Sequence, residues 1–146
     1  MSDSDLIKLY SGKILELAAA ISRQGRLAAP QGTARKRSPI CGSVVTVDLV
    51  VADGRVTEFA QDVKACALGQ ASAAILGGVV LGRTAKEIRR ARDQLRAMLK
   101  EAGPPPEAPF DLYQVLIPAR EYRNRHASIL LALEASVEAI DAAGQV

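Results

Sequence analysis

The chain has 146 residues, 49% of them hydrophobic and 24% charged, with a formal net charge of +3. That length buries a core without disulfide or metal staples, so one domain covering residues 1–146 is expected. So small an excess of positive charge lacks the basic footprint of a nucleic-acid binder, and no nucleic-acid partner is expected.

The opening decapeptide MSDSDLIKLY is acidic where a secretory leader is basic, and no uninterrupted apolar run follows it. A cytoplasmic protein is expected. Leu6, Leu9, Tyr10, Lys13, Leu17, Ala20 and Ile21 recur at three-to-four spacing, which predicts a helix over about 4–22 with one apolar face. Residues 24–40, QGRLAAPQGTARKRSPI, are rich in Gly, Pro and basic side chains and have no period. They read as an irregular loop with Arg35, Lys36 and Arg37 solvated. From Val44 the text alternates around β-branched residues, Val45, Val47, Leu49 and Val51 against Thr46, Asp48 and Val50, up to the pair Asp53-Gly54. This is a hairpin signature, with the second strand expected over about 56–64.

Cys66 then heads a helix of small residues, about 67–81, closed by Gly82. That apolar stretch is broken by Gly69, Gln70, Ser72, Gly77 and Gly78 and is shorter than the roughly 20 residues a membrane span needs, so no membrane partner is expected. Thr84-Ala85-Lys86-Glu87 fits a capping box. Behind it Ile88, Ala91, Leu95, Met98, Leu99 and Ala102 form an apolar stripe, predicting helix to about 102. The other face carries Lys86, Arg89, Arg90, Arg96 and Lys100, which reads either as a solvated face or as a dock for an acidic partner. Gly103 and Pro104 to Pro106 stop this helix. A loop through Pro109 and Pro118 leads to a last helix with Ala127, Leu130, Leu133, Val137 and Ile140 in phase. The order gives an α+β fold, a small antiparallel sheet of about three strands packed against several helices.

Residues 77–84, GGVVLGRT, have P-loop spacing with Arg83 in the lysine position. A P-loop needs a strand before its glycines, and the preceding residues are helix-like, so nucleotide hydrolysis is set aside. The two cysteines carry more chemistry. Cys41 precedes the first strand of the hairpin and Cys66 follows the second, and a hairpin returns the chain to where it began, so a shared site is geometrically natural. Cys66 at a helix N-terminus meets the positive end of the dipole, which favours thiolate. The alternative is that both are small core residues. His126, the only histidine, reads as the polar end of a helix or as a partner for the thiols around a metal.

The segment SPICGSVVTVDLVVADGRVTEFAQDVKACALGQASAAI, residues 38–75, resembles the iron-sulfur cluster assembly scaffold family of NifU N-terminal, IscU and SufU-like proteins. The family pattern is Pro-x-Cys-Gly-Asp opening a strand, a hairpin, a Cys heading a small-residue helix, and a third cysteine, often after histidine, at the head of the C-terminal helix. Here those positions read Pro39-Ile40-Cys41-Gly42-Ser43, Ala65-Cys66-Ala67 and His126-Ala127-Ser128. The resemblance implies a SufE/NifU-like fold and a non-enzymatic scaffold or carrier. It implies that Cys41, Cys66 and His126 hold iron or a nascent [2Fe-2S] cluster, with zinc as a substitute occupant. It also implies a cysteine desulfurase as sulfur donor and client apo-proteins as receivers.

Ser43 stands at the usual aspartate and Ala127 at the usual third cysteine. A four-ligand structural zinc site is worth about 10–16 kcal/mol near neutral pH, so each ligand carries on the order of 3 kcal/mol. A monomeric site short of two ligands holds metal loosely. A homodimer placing Cys41 and Cys66 of each copy around one cluster restores four thiolates. The alternatives are a SufU-like persulfide acceptor working with the desulfurase, and an interaction protein that has kept the fold and binds no metal.

Overall fold

Asp53 and Gly54 take positive φ, 54° and 76°, and so fold β2 (Val44–Ala52) back onto β3 (Arg55–Lys64) in the predicted hairpin. The computed structural model describes residues 12–144. Before the hairpin come α1 (Gly12–Ala18) and β1 (Gly32–Arg37); after it come α2 (Ala67–Val79), α3 (Ala85–Lys100), a 3-10 helix (Asp111–Glu121) and α4 (Arg123–Ala142). The sheet is antiparallel in the order β1-β2-β3. The α+β expectation is met. For the first helix, Leu6, Leu9 and Tyr10 lie outside the described residues, and Ile14 of α1 is buried.

α4 lies against α2, α3, β1 and β2 and is buried around most of its circumference. The small residues of α2 let backbones approach. A Cβ on Gly69 would stand 2.6 Å from Ser128 Oγ, and one on Gly77 would stand 2.8 Å from the Ser22 carbonyl. α3 begins as predicted, with Thr84 and Glu87 closing a reciprocal capping box. That places Glu87 where a P-loop would seat phosphate, and Gly77 to Val79 belong to α2 rather than to a turn after a strand.

Two predicted loops are corrected. Residues 32–37 form β1, whose inward positions are Gly32, Ala34 and Lys36. They carry no apolar signal because α4 sits directly on them: a Cβ on Gly32 would fall 2.0 Å from the Ala139 carbonyl oxygen, and Lys36 reaches Glu138 at 2.9 Å. Residues 111–121 form the 3-10 helix. Its buried Tyr113, Leu116 and Ala119 recur every third residue, the spacing a three-residue turn requires.

The basic face of α3 is partly tied to its neighbours at the surface. Arg89 pairs with Asp141, Arg90 with Glu107 at 2.9 Å, and Arg96 with Glu134 at 3.0 Å. These pairs fasten α3 to its neighbours, while Lys86, Arg90 and Lys100 stay exposed.

On the sheet face away from α4, Asp48 is fully buried. It accepts from Arg26 Nε at 2.5 Å and Nη2 at 3.1 Å, from Thr33 Oγ1 at 2.7 Å and from the Leu27 N–H at 3.1 Å. Burial pushes this carboxyl up, but the hydrogen bonds from Arg26, Thr33 and Leu27 outweigh it and hold it below the usual carboxylate range. The network straps the segment before β1 across the sheet. Among the described residues no helix is long and apolar enough to cross a membrane.

Candidate functional site

The turn before β2 is closed by the Ser38 N–H on the Ser43 carbonyl at 2.8 Å and the Gly42 N–H on the Ser38 carbonyl at 3.1 Å. Gly42 takes φ 70° there, a conformation glycine adopts without strain. The turn buries Ser38 and Ser43 and leaves Ile40 65% exposed, with Cys41 exposed beside it. Val44 pairs with Lys64, so the hairpin brings the chain back to the same end of the sheet two residues before Cys66. Cys66 is the N-cap of α2, and its carbonyl accepts from Gln70 at 2.9 Å. The early part of α4 delivers buried Ser128 to this end.

The five side chains form one continuous chain. Ser38 Oγ is 3.2 Å from Cys41 Sγ, which is 3.4 Å from Ser43 Oγ; Ser43 Oγ is 3.0 Å from Ser128 Oγ, which is 3.5 Å from Cys66 Sγ. Two thiols 25 positions apart in sequence are therefore joined through serine hydroxyls. Burial pushes the Cys41 thiol up, but hydrogen bonds from the Ser38 side chain, the Ser43 side chain and backbone, and Ser128 outweigh it and bring it down to about 7. The hydroxyls donate to the thiolate and favour it over the thiol.

His126 is held by the backbone. It is 2% exposed, and its Nε2 lies 3.1 Å from both the Ala119 and the Arg120 carbonyl oxygens. Carbonyls only accept, so Nε2 carries the proton and donates to both. Burial, with Lys100 and Arg123 nearby, holds this imidazole below its ordinary range against the two carbonyls that raise it. His126 lines a cavity of about 520 Å³ with Lys100, Arg120 and Arg123, whereas Cys41 lines a different one of about 610 Å³. Among the described residues no three His, Cys, Asp or Glu side chains are grouped so as to hold a metal ion. Of the three expected ligands, the structure joins Cys41 and Cys66 through serine hydroxyls, while the Nε2 of His126 is taken up by backbone carbonyls; Ala127 is half-buried beside Ser128.

Ser38 and Ser128 escaped the sequence reading. A hydroxyl on the most apolar part of a helix was the available signal for Ser128, since a buried polar group has to find a partner. Chemically the cluster offers two soft sulfur donors for iron or a cluster, and a nucleophilic thiolate at neutral pH on the exposed member.

Comparison with known proteins bears on this site. The chain matches the family described as NifU-like N terminal domain over residues 9–112, a span that includes both cysteines and stops before α4. The crystal structure of a nitrogen-fixing NifU-like protein (N-terminal) from Brucella abortus is 46% identical, covers 96% of this chain and 97% of its own, and superposes with a TM-score of 0.93. A protein from the thermophile Fervidobacterium islandicum AW-1, proposed as an iron-sulfur cluster assembly scaffold for the SUF system, is 17% identical with a TM-score of 0.77, covering 88% of this chain and 94% of its own. A hypothetical protein solved at 2.3 Å is 19% identical with a TM-score of 0.82, covering 92% and 98%. At such identities the last two are similar in fold alone. No curated protein matches.

Proposed function

Since this chain belongs to the NifU-like N-terminal domain family, we propose that it is a cytoplasmic scaffold or carrier in iron-sulfur cluster assembly, taking iron or a nascent [2Fe-2S] cluster as cargo on Cys41 and Cys66. The observation that carries this reading is the hydroxyl chain placing both thiols within reach of the Ser43–Ser128 pair, Cys41 at 3.4 Å from one and Cys66 at 3.5 Å from the other. Such clusters use thiolate ligands, four to each [2Fe-2S] unit. One chain brings two, and a second copy, a cysteine desulfurase or a client apo-protein supplies the rest. Serine oxygen is a hard donor for a soft metal, so Ser38, Ser43 and Ser128 orient and solvate the thiolates rather than compete for the cargo. His126 enters the reading only through Nδ1, because Nε2 is occupied. Cargo held by few protein ligands is also readily handed on.

Anaerobic reconstitution with iron and sulfide tests this. The expected result is charge-transfer absorption that disappears in Cys41→Ser and in Cys66→Ser. Native protein that stays colourless, alone and with a desulfurase present, overturns the scaffold reading.

A second reading rests on the exposure of Cys41 and its descent to about 7: the thiol accepts sulfur from a desulfurase persulfide. The Cys41 thiolate attacks the outer sulfur, the Cys41 S–S bond forms as the donor S–S bond breaks, and the donor leaves as thiolate. Mass spectrometry after incubation with desulfurase and cysteine then finds one added sulfur on Cys41. An unmodified Cys41 rejects it.

A further inference from the structure

The first turn of α4 opens, beside the thiols, on the cavity of about 610 Å³ whose walls include Ile40, Cys41, Glu121, Tyr122, Arg123 and Arg125. Its volume suits a small molecule. Arg123 and Arg125 form no ion pair among the described residues, in contrast to Arg89, Arg90 and Arg96 of α3, each of which has a carboxylate partner. The end of α4 adds to them. It is a helix of 20 residues whose N-cap side chain does not cap it and whose first turn holds no acidic residue, so its dipole favours an anion there. One carboxylate, Glu121, opposes these cations. The balance on the cavity wall is positive, beside an exposed thiol and the apolar Ile40.

We propose that this cavity binds a small anionic molecule bearing a carboxylate and a sulfur–sulfur bond, held by Arg123 and Arg125 so that the S–S bond faces Cys41 Sγ. Planar guanidinium groups bind carboxylates through paired N–H donors, and the carboxylate is the part of such a molecule that they recognise. The Cys41 thiolate attacks the nearer sulfur. A Cys41–S bond forms, the ligand's S–S bond breaks, and its electron pair departs on the far sulfur as thiolate; Cys41 is oxidised by one equivalent of the disulfide or persulfide and the ligand is reduced. The proposal takes from the scaffold reading only that Cys41 is a working thiol.

The test compares two disulfide probes on the full chain and on Cys66→Ser, which leaves Cys41 alone to react. One is the dicarboxylate dithiobis(nitrobenzoic acid), the other neutral dithiodipyridine. Their rate ratio cancels the thiolate fraction and reads the charge of the cavity. At low salt the ratio for Cys41 is expected to exceed that of a neutral reference thiol by about tenfold, and to fall toward it in high salt. Arg123→Gln with Arg125→Gln, exposed or half-exposed positions that leave the circular dichroism unchanged, should return the ratio to the reference. A native ratio equal to the reference thiol, or one that survives the double substitution, overturns the proposal. Protein that reconstitutes a cluster yet shows no preference for the anionic probe keeps the scaffold reading and loses this one; the reverse pair of results does the opposite.

Discussion

Two polar clusters flank β2, built on opposite plans. Around Asp48 a buried carboxylate is closed in by hydrogen bonds of 2.5 to 3.1 Å from Arg26, Leu27 and Thr33. Around Cys41 and Cys66 the contacts run from 3.0 to 3.5 Å, the groups are hydroxyls and thiols, and one thiol is exposed. A buried charge is tolerable only when fully paired, so the first cluster is committed to holding the fold. Thiols are weak hydrogen-bonding groups, so the second can exchange its partners for cargo. The same central strand therefore carries one network held shut by a buried charge and one whose weaker contacts can be exchanged.

Substitutions should separate the two. Cys41→Ser or Cys66→Ser is expected to abolish the reconstituted absorption while shifting the urea midpoint little; a matching loss of stability would merge the clusters into one structural unit. Ala127→Cys should tighten iron or cluster binding by about a hundredfold, as a ligand worth on the order of 3 kcal/mol implies, and unchanged affinity would place the site elsewhere. Asp48→Ala should do the converse, costing about 2–3 kcal/mol of unfolding free energy for the lost hydrogen bonds to a charged group and leaving reconstitution per folded molecule intact.

Its pH signature has a definite sign. The folded carboxyl lies below its unfolded value, so its contribution is fully present above the ordinary aspartate range and is lost as pH falls toward the folded value. Asp48→Asn should flatten the stability-against-pH curve in that window, measured by urea titration. At the thiol cluster, Ser43→Ala should raise the midpoint of Cys41 alkylation from about 7 toward the ordinary thiol range; an unmoved midpoint would deny the hydroxyl its role. The smallest effect belongs to α3. Arg96→Gln breaks a part-exposed pair with Glu134 and should change stability by about 0.2–1 kcal/mol.

How far these plans were legible depends on where each signal resides. The hairpin was readable because alternation and Asp53-Gly54 are local, and α3 because Thr84 and Glu87 cap it within four residues. β1 was hidden because its inward face is Gly32, Ala34 and Lys36, chosen by the helix lying over it, and no local pattern records a neighbour remote in sequence. The period-three burial of Tyr113, Leu116 and Ala119 was present in the sequence but is masked by Pro118. At the site, both cysteines were placed correctly at one end of the sheet. The link between them was not, since Ser128 belongs to a helix 62 positions beyond Cys66 and only tertiary packing against Gly69 brings it there.

One consequence of the serine cluster reverses a common rule of protein labelling. Denaturation usually makes cysteines easier to modify, because it uncovers them. Cys41 is already uncovered, and what unfolding removes is the set of hydroxyl donors that come to it from separate parts of the chain. The hydroxyls bring the Cys41 thiol down to about 7 in the native protein, so more of it is thiolate at neutral pH than the few per cent of a free cysteine. Adding denaturant should therefore slow its modification, even allowing for the higher intrinsic nucleophilicity of the more basic thiol. Fast labelling of this residue, in cargo-free protein with Cys66 replaced by serine, becomes a report of intactness readable on a gel.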